Sequence, residues 1–227
     1  MEIKFKKKLS DYDLLVMFDL ATKNTGVCVW DIKSAKPLET HTLVAGGKGS
    51  SGSMTVDLWN VLDGFFLDLI KKYDSRAILV YREAAPYAQG KFTTSKTLVA
   101  LGKAHAVLDL AIHKYDLATF DDYGISPMTT HSHYKHLMGL PASAKVTKEN
   151  LRDYIKEKYG ITPEKGLDET DAAFLCVTFV ESFWDKAIDE EIKTEKRHRK
   201  TLKAAKAIEA IDARIAELKD MKTDKSK

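Results

Sequence analysis

The chain has 227 residues, 44% of them hydrophobic, with 36 Lys and Arg against 33 Asp and Glu and a net charge of +3. That length buries one sizeable core with room for no more than a small module beside it. No stretch reaches the ~20 apolar residues of a membrane span, and the basic start lacks the apolar run of a signal peptide, so a soluble, cytoplasmic protein without a membrane partner is expected.

Residues 13–19 form a nearly continuous apolar run of strand length, a turn follows at Lys23-Asn24, and residues 25–31 make a second strand antiparallel to the first. A third strand is expected over 38–45, and the Gly/Ser-rich stretch 46–53 reads as a mobile loop. Leu58, Val61, Leu62, Phe65, Phe66 and Leu69 recur at helical spacing, which predicts an amphipathic helix over 54–73. Residues 77–83 read as a fourth strand, 95–113 as a helix, 117–121 as a fifth strand, and 148–159 and 168–184 as two more helices. The segment 126–143 reads as a loop. Beyond 185, Leu202, Ala205, Ile208, Ile211 and Ile215 are spaced by three or four, which predicts one long helix to about residue 221.

Three meandering strands followed by alternating helices and strands imply an α/β fold: a mixed five-stranded sheet with an antiparallel edge and helices on both faces, arranged as in ribonuclease-H-like domains. The expected division is a nuclease-type domain over 1–185 and a basic helical C-terminal extension over 186–227. That extension holds 13 Lys and Arg against 9 Asp and Glu, so the whole positive excess lies there. Cys28 and Cys176 sit in apolar runs without a partner at metal-ligand spacing and are expected to be buried thiols.

Four acids stand out. Asp19 closes an apolar strand, where an uncompensated carboxylate is costly, and Glu83 closes a second. If the two strands are parallel neighbours, both side chains leave the same edge of the sheet. Asp168 and Asp171, spaced i, i+3 at the start of an apolar helix, share one face while Ala172, Ala173, Leu175 and Cys176 pack inward. Four convergent oxygen donors suit Mg²⁺ or Mn²⁺ and in-line phosphodiester hydrolysis. Taken singly, Asp168 also reads as a helix cap, Asp171 as a first-turn acid and Glu83 as the partner of Arg82 or a lysine.

These residues resemble the RuvC family of Holliday-junction resolvases. Asp19-Leu-Ala-Thr-Lys-Asn-Thr-Gly26 resembles the family's first strand and turn, with identical Asp-to-Gly spacing but Leu20-Ala21 where the family has Pro-Gly. Leu79-Val-Tyr-Arg-Glu83, Leu101-Gly-Lys-Ala-His105 and Asp168-Glu-Thr-Asp171-Ala172 resemble its later motifs, and the likeness covers about residues 13–180. The resemblance implies that Asp19, Glu83, Asp168 and Asp171 are the metal-binding catalytic set, with Mg²⁺ or Mn²⁺ as cofactor. It further implies that Lys148 lies beside the scissile phosphate, with Lys145 the runner-up, and that Tyr87 stacks on bases. Lys23, Lys91, Lys103 and Lys135 are the remaining candidate DNA contacts. Branched DNA is the implied partner, a homodimer matches the two-fold symmetry of a four-way junction, and the divergence resembles phage-encoded members of the family.

Weaker signals remain. His131, His133 and His136 lack a fourth zinc ligand nearby and read as a polar or phosphate-touching loop. The basic stretch from Lys193 to Lys206 reads as a DNA-tracking or a solvated face, with Glu191 and Glu195 as partners of Arg199. The alternatives are a ribonuclease acting on RNA–DNA hybrids and an actin-like or sugar-kinase ATPase. The latter needs a duplicated domain and a second phosphate loop, which this length does not accommodate.

Overall fold

The computed structural model describes residues 9–46, 51–85, 94–119, 124–163, 167–201 and 205–222. Its strands are β1 (Leu14–Asp19), β2 (Asn24–Asp31), β3 (Lys36–Val44), β4 (Ile78–Arg82) and β5 (Ala118–Thr119), in the spatial order β3-β2-β1-β4-β5. β1 runs antiparallel to β2 and parallel to β4, so the meander occupies one edge and the parallel strands the other.

Side chains alternate across the pleat and build two cores. Leu14, Val16, Phe18, Val27, Val29, Ile78 and Val80 face α1 (Ser51–Lys72) and α2 (Ser95–Lys114). Leu15, Met17, Cys28, Trp30, Leu79 and Tyr81 face the opposite layer. That layer holds α3 (Pro127–Leu137), α4 (Lys148–Tyr159), α5 (Leu167–Phe179), α6 (Asp185–Thr201) and α7 (Ala205–Asp220), with a π-helical turn, Val180–Trp184, between α5 and α6. Full burial of each such aliphatic or aromatic side chain contributes ~1.5–3 kcal/mol, so a sheet covered on both faces dominates the stability. The expected ribonuclease-H-like sheet with helices on both faces is the fold observed. Both cysteines are buried thiols, and no described helix is long and apolar enough to cross a membrane.

Three expectations need correction. Residues 127–137 form a helix rather than a loop: Ser126 accepts from the Met128 amide as N-cap and Pro127 opens the first turn. The tail is not one long helix, because α7 returns antiparallel along α6. Arg199 pairs with Asp212, Lys222 pairs with Asp189 at 3.0 Å, and the Trp184 indole donates to the Met221 carbonyl at 3.3 Å. Arg199 is therefore held by Asp212 and not by Glu191 or Glu195. Glu191 instead accepts from the Ser10 hydroxyl at 2.7 Å, and Glu195 is buried.

Ile188, Ile192, Ile211, Ile215 and Leu218 belong to the same buried cluster as Trp30 and Phe174, so the helical hairpin closes the main core. The expected mobile loop falls partly on residues 47–50, outside the described residues, and α1 already begins at Ser51.

Candidate active site

Asp19 follows Leu15 and Met17 on the side of β1 that faces α5, and Glu83 continues the same alternation after Leu79 and Tyr81. The parallel register sets Phe18 beside Arg82, and the Glu83 amide donates to the Phe18 carbonyl at 2.8 Å. The two acids therefore leave adjacent strands on one face. Arg82 projects to the other face, where it pairs with Asp109 on α2 and donates to the His105 carbonyl. Glu83 consequently has no partner in Arg82.

The turn after Asp19 closes without the Pro-Gly of the resembled motif. The buried Thr25 hydroxyl donates to the Ala21 carbonyl at 2.9 Å and accepts from the Ala21 amide at 3.3 Å. One side chain thus satisfies both groups of the turn.

Asp168 and Asp171 arrive from the first turn and a half of α5, whose N-terminus lies directly on β2. A Cβ on Gly26 would fall 2.0 Å from the Asp168 carbonyl oxygen, so only glycine permits this approach. Ala172 and Ala173 are fully buried beneath the helix, as small residues at a close crossing must be. Glu169, 2% exposed, accepts from the hydroxyls of Thr40 and Thr42 at 3.0 Å each and ties the start of α5 to β3. Sequence reasoning passed over Glu169. The signal was two threonines spaced i, i+2 on one strand face.

Carboxylate oxygens of Asp19, Asp168 and Asp171 lie within 4.8 Å of one another, and among the described residues this is the only such group of three. The histidines of α3 form no comparable set: His133 engages Glu181 at 3.3 Å and Ser182 at 3.1 Å. Glu83 is hydrogen-bonded to Asp19 and feels the charge of Asp171. Burial, and then the charge of Asp19, push Glu83 up to about 9, so it holds a proton toward its neighbour. Burial and the nearby Asp171 push Asp19 up to about 6.

Lys148 opens α4, which a capping box of Thr147 and Asn150 fixes. A lysine at a helix N-terminus opposes the helix dipole. Its compensation is Asp171, with which it pairs closely, and Asp168 at 3.4 Å. Burial opposes its charge, yet these acids hold the ammonium above the usual lysine range. Asp171 nevertheless stays above the usual carboxylate range because burial outweighs the ion pair, with His131 on α3 further favouring its charged form.

The other candidates are dispersed. Lys23 is exposed in the turn after Asp19, and Lys145 is exposed just before α4. Lys103, on α2, shares a small cleft with Thr22 of that turn. Lys135 donates to the Ala142 carbonyl at 2.6 Å and so braces its own segment. Tyr87 and Lys91 lie outside the described residues.

The donor set fits a divalent cation. Three hard oxygen ligands share one half-buried pocket, a fourth acid is hydrogen-bonded to Asp19, and burial that raises Asp19 and Asp171 is the cost a bound cation would offset.

No protein-family model matches the chain, and no curated protein sequence matches it. Among solved structures it is similar to Thermus thermophilus RuvC in complex with a Holliday junction substrate, with 14% identity and a TM-score of 0.52 over 76% of this chain and 94% of that one. A second Thermus thermophilus RuvC structure (14% identity, TM-score 0.49, 73% of this chain and 94% of that one) and the yeast mitochondrial resolvase Ydc2 (16%, 0.46, 77% and 80%) also align. At these identities the likeness is one of fold.

Proposed function

We propose that this chain is a divalent-metal-dependent endonuclease that hydrolyses phosphodiester bonds in branched DNA, four-way junctions foremost. The observation that carries the reading is the convergence of Asp19, Asp168 and Asp171 within 4.8 Å, with Glu83 hydrogen-bonded to Asp19. Scattered structural acids have no reason to meet at the edge of two apolar strands and a helix start. The similarity of fold to a resolvase solved with its junction supports the choice of substrate.

In this reading Asp19, Asp168 and Asp171 would hold Mg²⁺ or Mn²⁺, and Glu83 would give up its proton to solvent and join the set. The bound ion would acidify the attacking water and stabilise the leaving oxygen. Lys148 would exchange part of its hold on Asp171 for a phosphate oxygen of the scissile group, orienting it for in-line attack. Lys23, Lys103 and Lys145 are exposed on the flanking segments and would contact the backbone of the arms. Two copies related by a two-fold axis would present two such sites to a junction. The exposed Val99 and Leu110 of α2 support that pairing.

Cleavage of a synthetic four-way junction, a flap, a linear duplex and an RNA–DNA hybrid, each with Mg²⁺, Mn²⁺ or chelator, tests the proposal. The expected result is metal-dependent cutting that is strongest on the junction and absent for Asp19→Asn. Cutting of the hybrid alone would assign the site to a ribonuclease, and ATP hydrolysis without nuclease activity would remove it from this class.

A further inference from the structure

The C-terminal hairpin is anchored away from the acidic pocket. Ser10 and Asp11 precede β1, while Asp19 ends it, and the six residues of the strand span ~20 Å. Ser10 is bonded to Glu191 of α6, and Arg214 of α7 reaches Asp11 at 3.0 Å, so the hairpin is anchored at the end of the sheet opposite the acids. α4 and α5 run side by side from the Lys148–Asp171 pair toward that end, where Lys158 of α4 pairs at 2.8 Å with Glu181 of the π-helical turn that follows α5.

Within α6 the residues sort by face. Ile188, Ile192, Glu195 and Arg199, spaced by three or four, turn toward the core and α7. Lys193, Lys196, Arg197 and Lys200 occupy an adjoining solvent-exposed arc of about 100°. Lys193 is paired with Glu190, whereas Lys196, Arg197 and Lys200 have no acidic partner among the described residues. From 196 to 206 the sequence holds six Lys and Arg and no acid. Unpaired like charges on a rigid, core-anchored helix repel one another, and a polyanion relieves that repulsion.

We propose that this face of α6 is a second duplex-DNA docking surface, separate from the cleavage site, which grips the phosphate backbone of a junction arm without reading its sequence. The placement rests on the nuclease reading above, but the binding does not depend on it. A regular duplex with one phosphate charge per ~1.7 Å of axis fits a row of cations held at one-turn intervals better than an irregular acidic protein surface does. The hairpin's anchor at Ser10 and Asp11 lies the length of β1 from the acids, about six base pairs of duplex, so an arm longer than that could span from the acids past the anchor.

The test is the triple substitution Lys196→Gln, Arg197→Gln, Lys200→Gln in the full-length chain, which touches neither the core nor the carboxylates. Binding is measured against salt for a linear duplex, for a junction with twenty-base-pair arms, and for a junction whose six-base-pair arms are closed by hairpin loops. Loss of three phosphate contacts makes the slope of log affinity against log salt shallower by about 2.7 on the long substrates. Across a fourfold rise in salt the variant then loses roughly 40-fold less affinity than wild type. The short-armed junction should bind as before, any single-turnover cutting at saturation should be unchanged, and the melting temperature should stay in place. An unchanged slope on the long substrates, or an equal loss on the short-armed junction, overturns the proposal. Absence of cutting by the wild-type chain would instead count against the nuclease reading, leaving the duplex-binding result to stand or fall alone.

Discussion

Gly26 and Asp168 meet backbone to side-chain position with no spare volume: a Cβ on Gly26 would lie 2.0 Å from the Asp168 carbonyl oxygen and 3.2 Å from the Glu169 nitrogen. Gly26 is also the register partner of Asp19. One hydrogen atom in place of a methyl therefore sets how closely the α5 acids approach the β1 acid.

Gly26→Ala should push α5 off the sheet. Overpacking of this kind costs about 1–3 kcal/mol or more, and for a chain of this size each kcal/mol lowers the melting temperature by ~2–4 °C. Because Asp168 moves with its backbone, Mn²⁺ affinity should fall as well. A thermal melt and a metal titration check this together, and wild-type values for both would contradict the packing argument.

The buried acids make stability depend on pH. Asp19 and Glu83 are raised in the folded chain, to about 6 and about 9: burial raises both, with the charge of Asp171 adding to it at Asp19 and the charge of Asp19 adding to it at Glu83. A raised carboxyl favours folding in its protonated form. Its contribution is full below the unfolded value of ~4 and is lost as pH climbs through the folded value. The metal-free melting temperature should therefore decline between pH 5 and pH 9 more than in Glu83→Gln. Added Mn²⁺ should raise the melting temperature more at pH 8 than at pH 5, since the cation competes with those protons. A metal-induced shift independent of pH would contradict the shared-proton geometry.

Much of this was legible beforehand, and what was not has identifiable causes. The strand-end acids were readable because a charge at the end of an apolar run is expensive, and the Asp-x-x-Asp spacing with its alanines because helical period fixes a face. α3 was missed because its Thr, His, Lys and Tyr residues carry little apolar period. Its signal was local, in the Ser126-Pro127 cap. The reversal between α6 and α7 left no trace: no Gly or Pro stands between Thr201 and Ala205, and the apolar spacing continues across them. Nor could spacing show that Glu83 would hydrogen-bond to Asp19 as a proton donor. That depends on the depth of burial at two adjacent strand ends.

Lys148→Met separates phosphate orientation from metal binding. Lys148 pairs with Asp171 and Asp168 in the absence of a cation, so its removal should leave Mn²⁺ affinity equal or tighter while the cleavage rate at saturating metal drops by about 100-fold or more. Lys148→Arg should recover part of that rate. Loss of metal affinity in Lys148→Met would make the lysine a structural brace instead.

Ending the chain at residue 185 tests whether the C-terminal hairpin is an independent extension. Ile188, Ile192, Ile211, Ile215 and Leu218 fill the core beside Trp184, so the shortened chain should expose that core and aggregate or melt well below the full-length protein. A soluble 1–185 fragment with a wild-type melting temperature would support the division at that point.

The most direct test is calorimetric titration of Mn²⁺ at pH 8 into the wild type, Asp19→Asn and Asp171→Asn. The shared-pocket account predicts saturable binding to the wild type, its loss in both variants, and a folded, junction-binding protein throughout. Equal Mn²⁺ affinity in all three would contradict it.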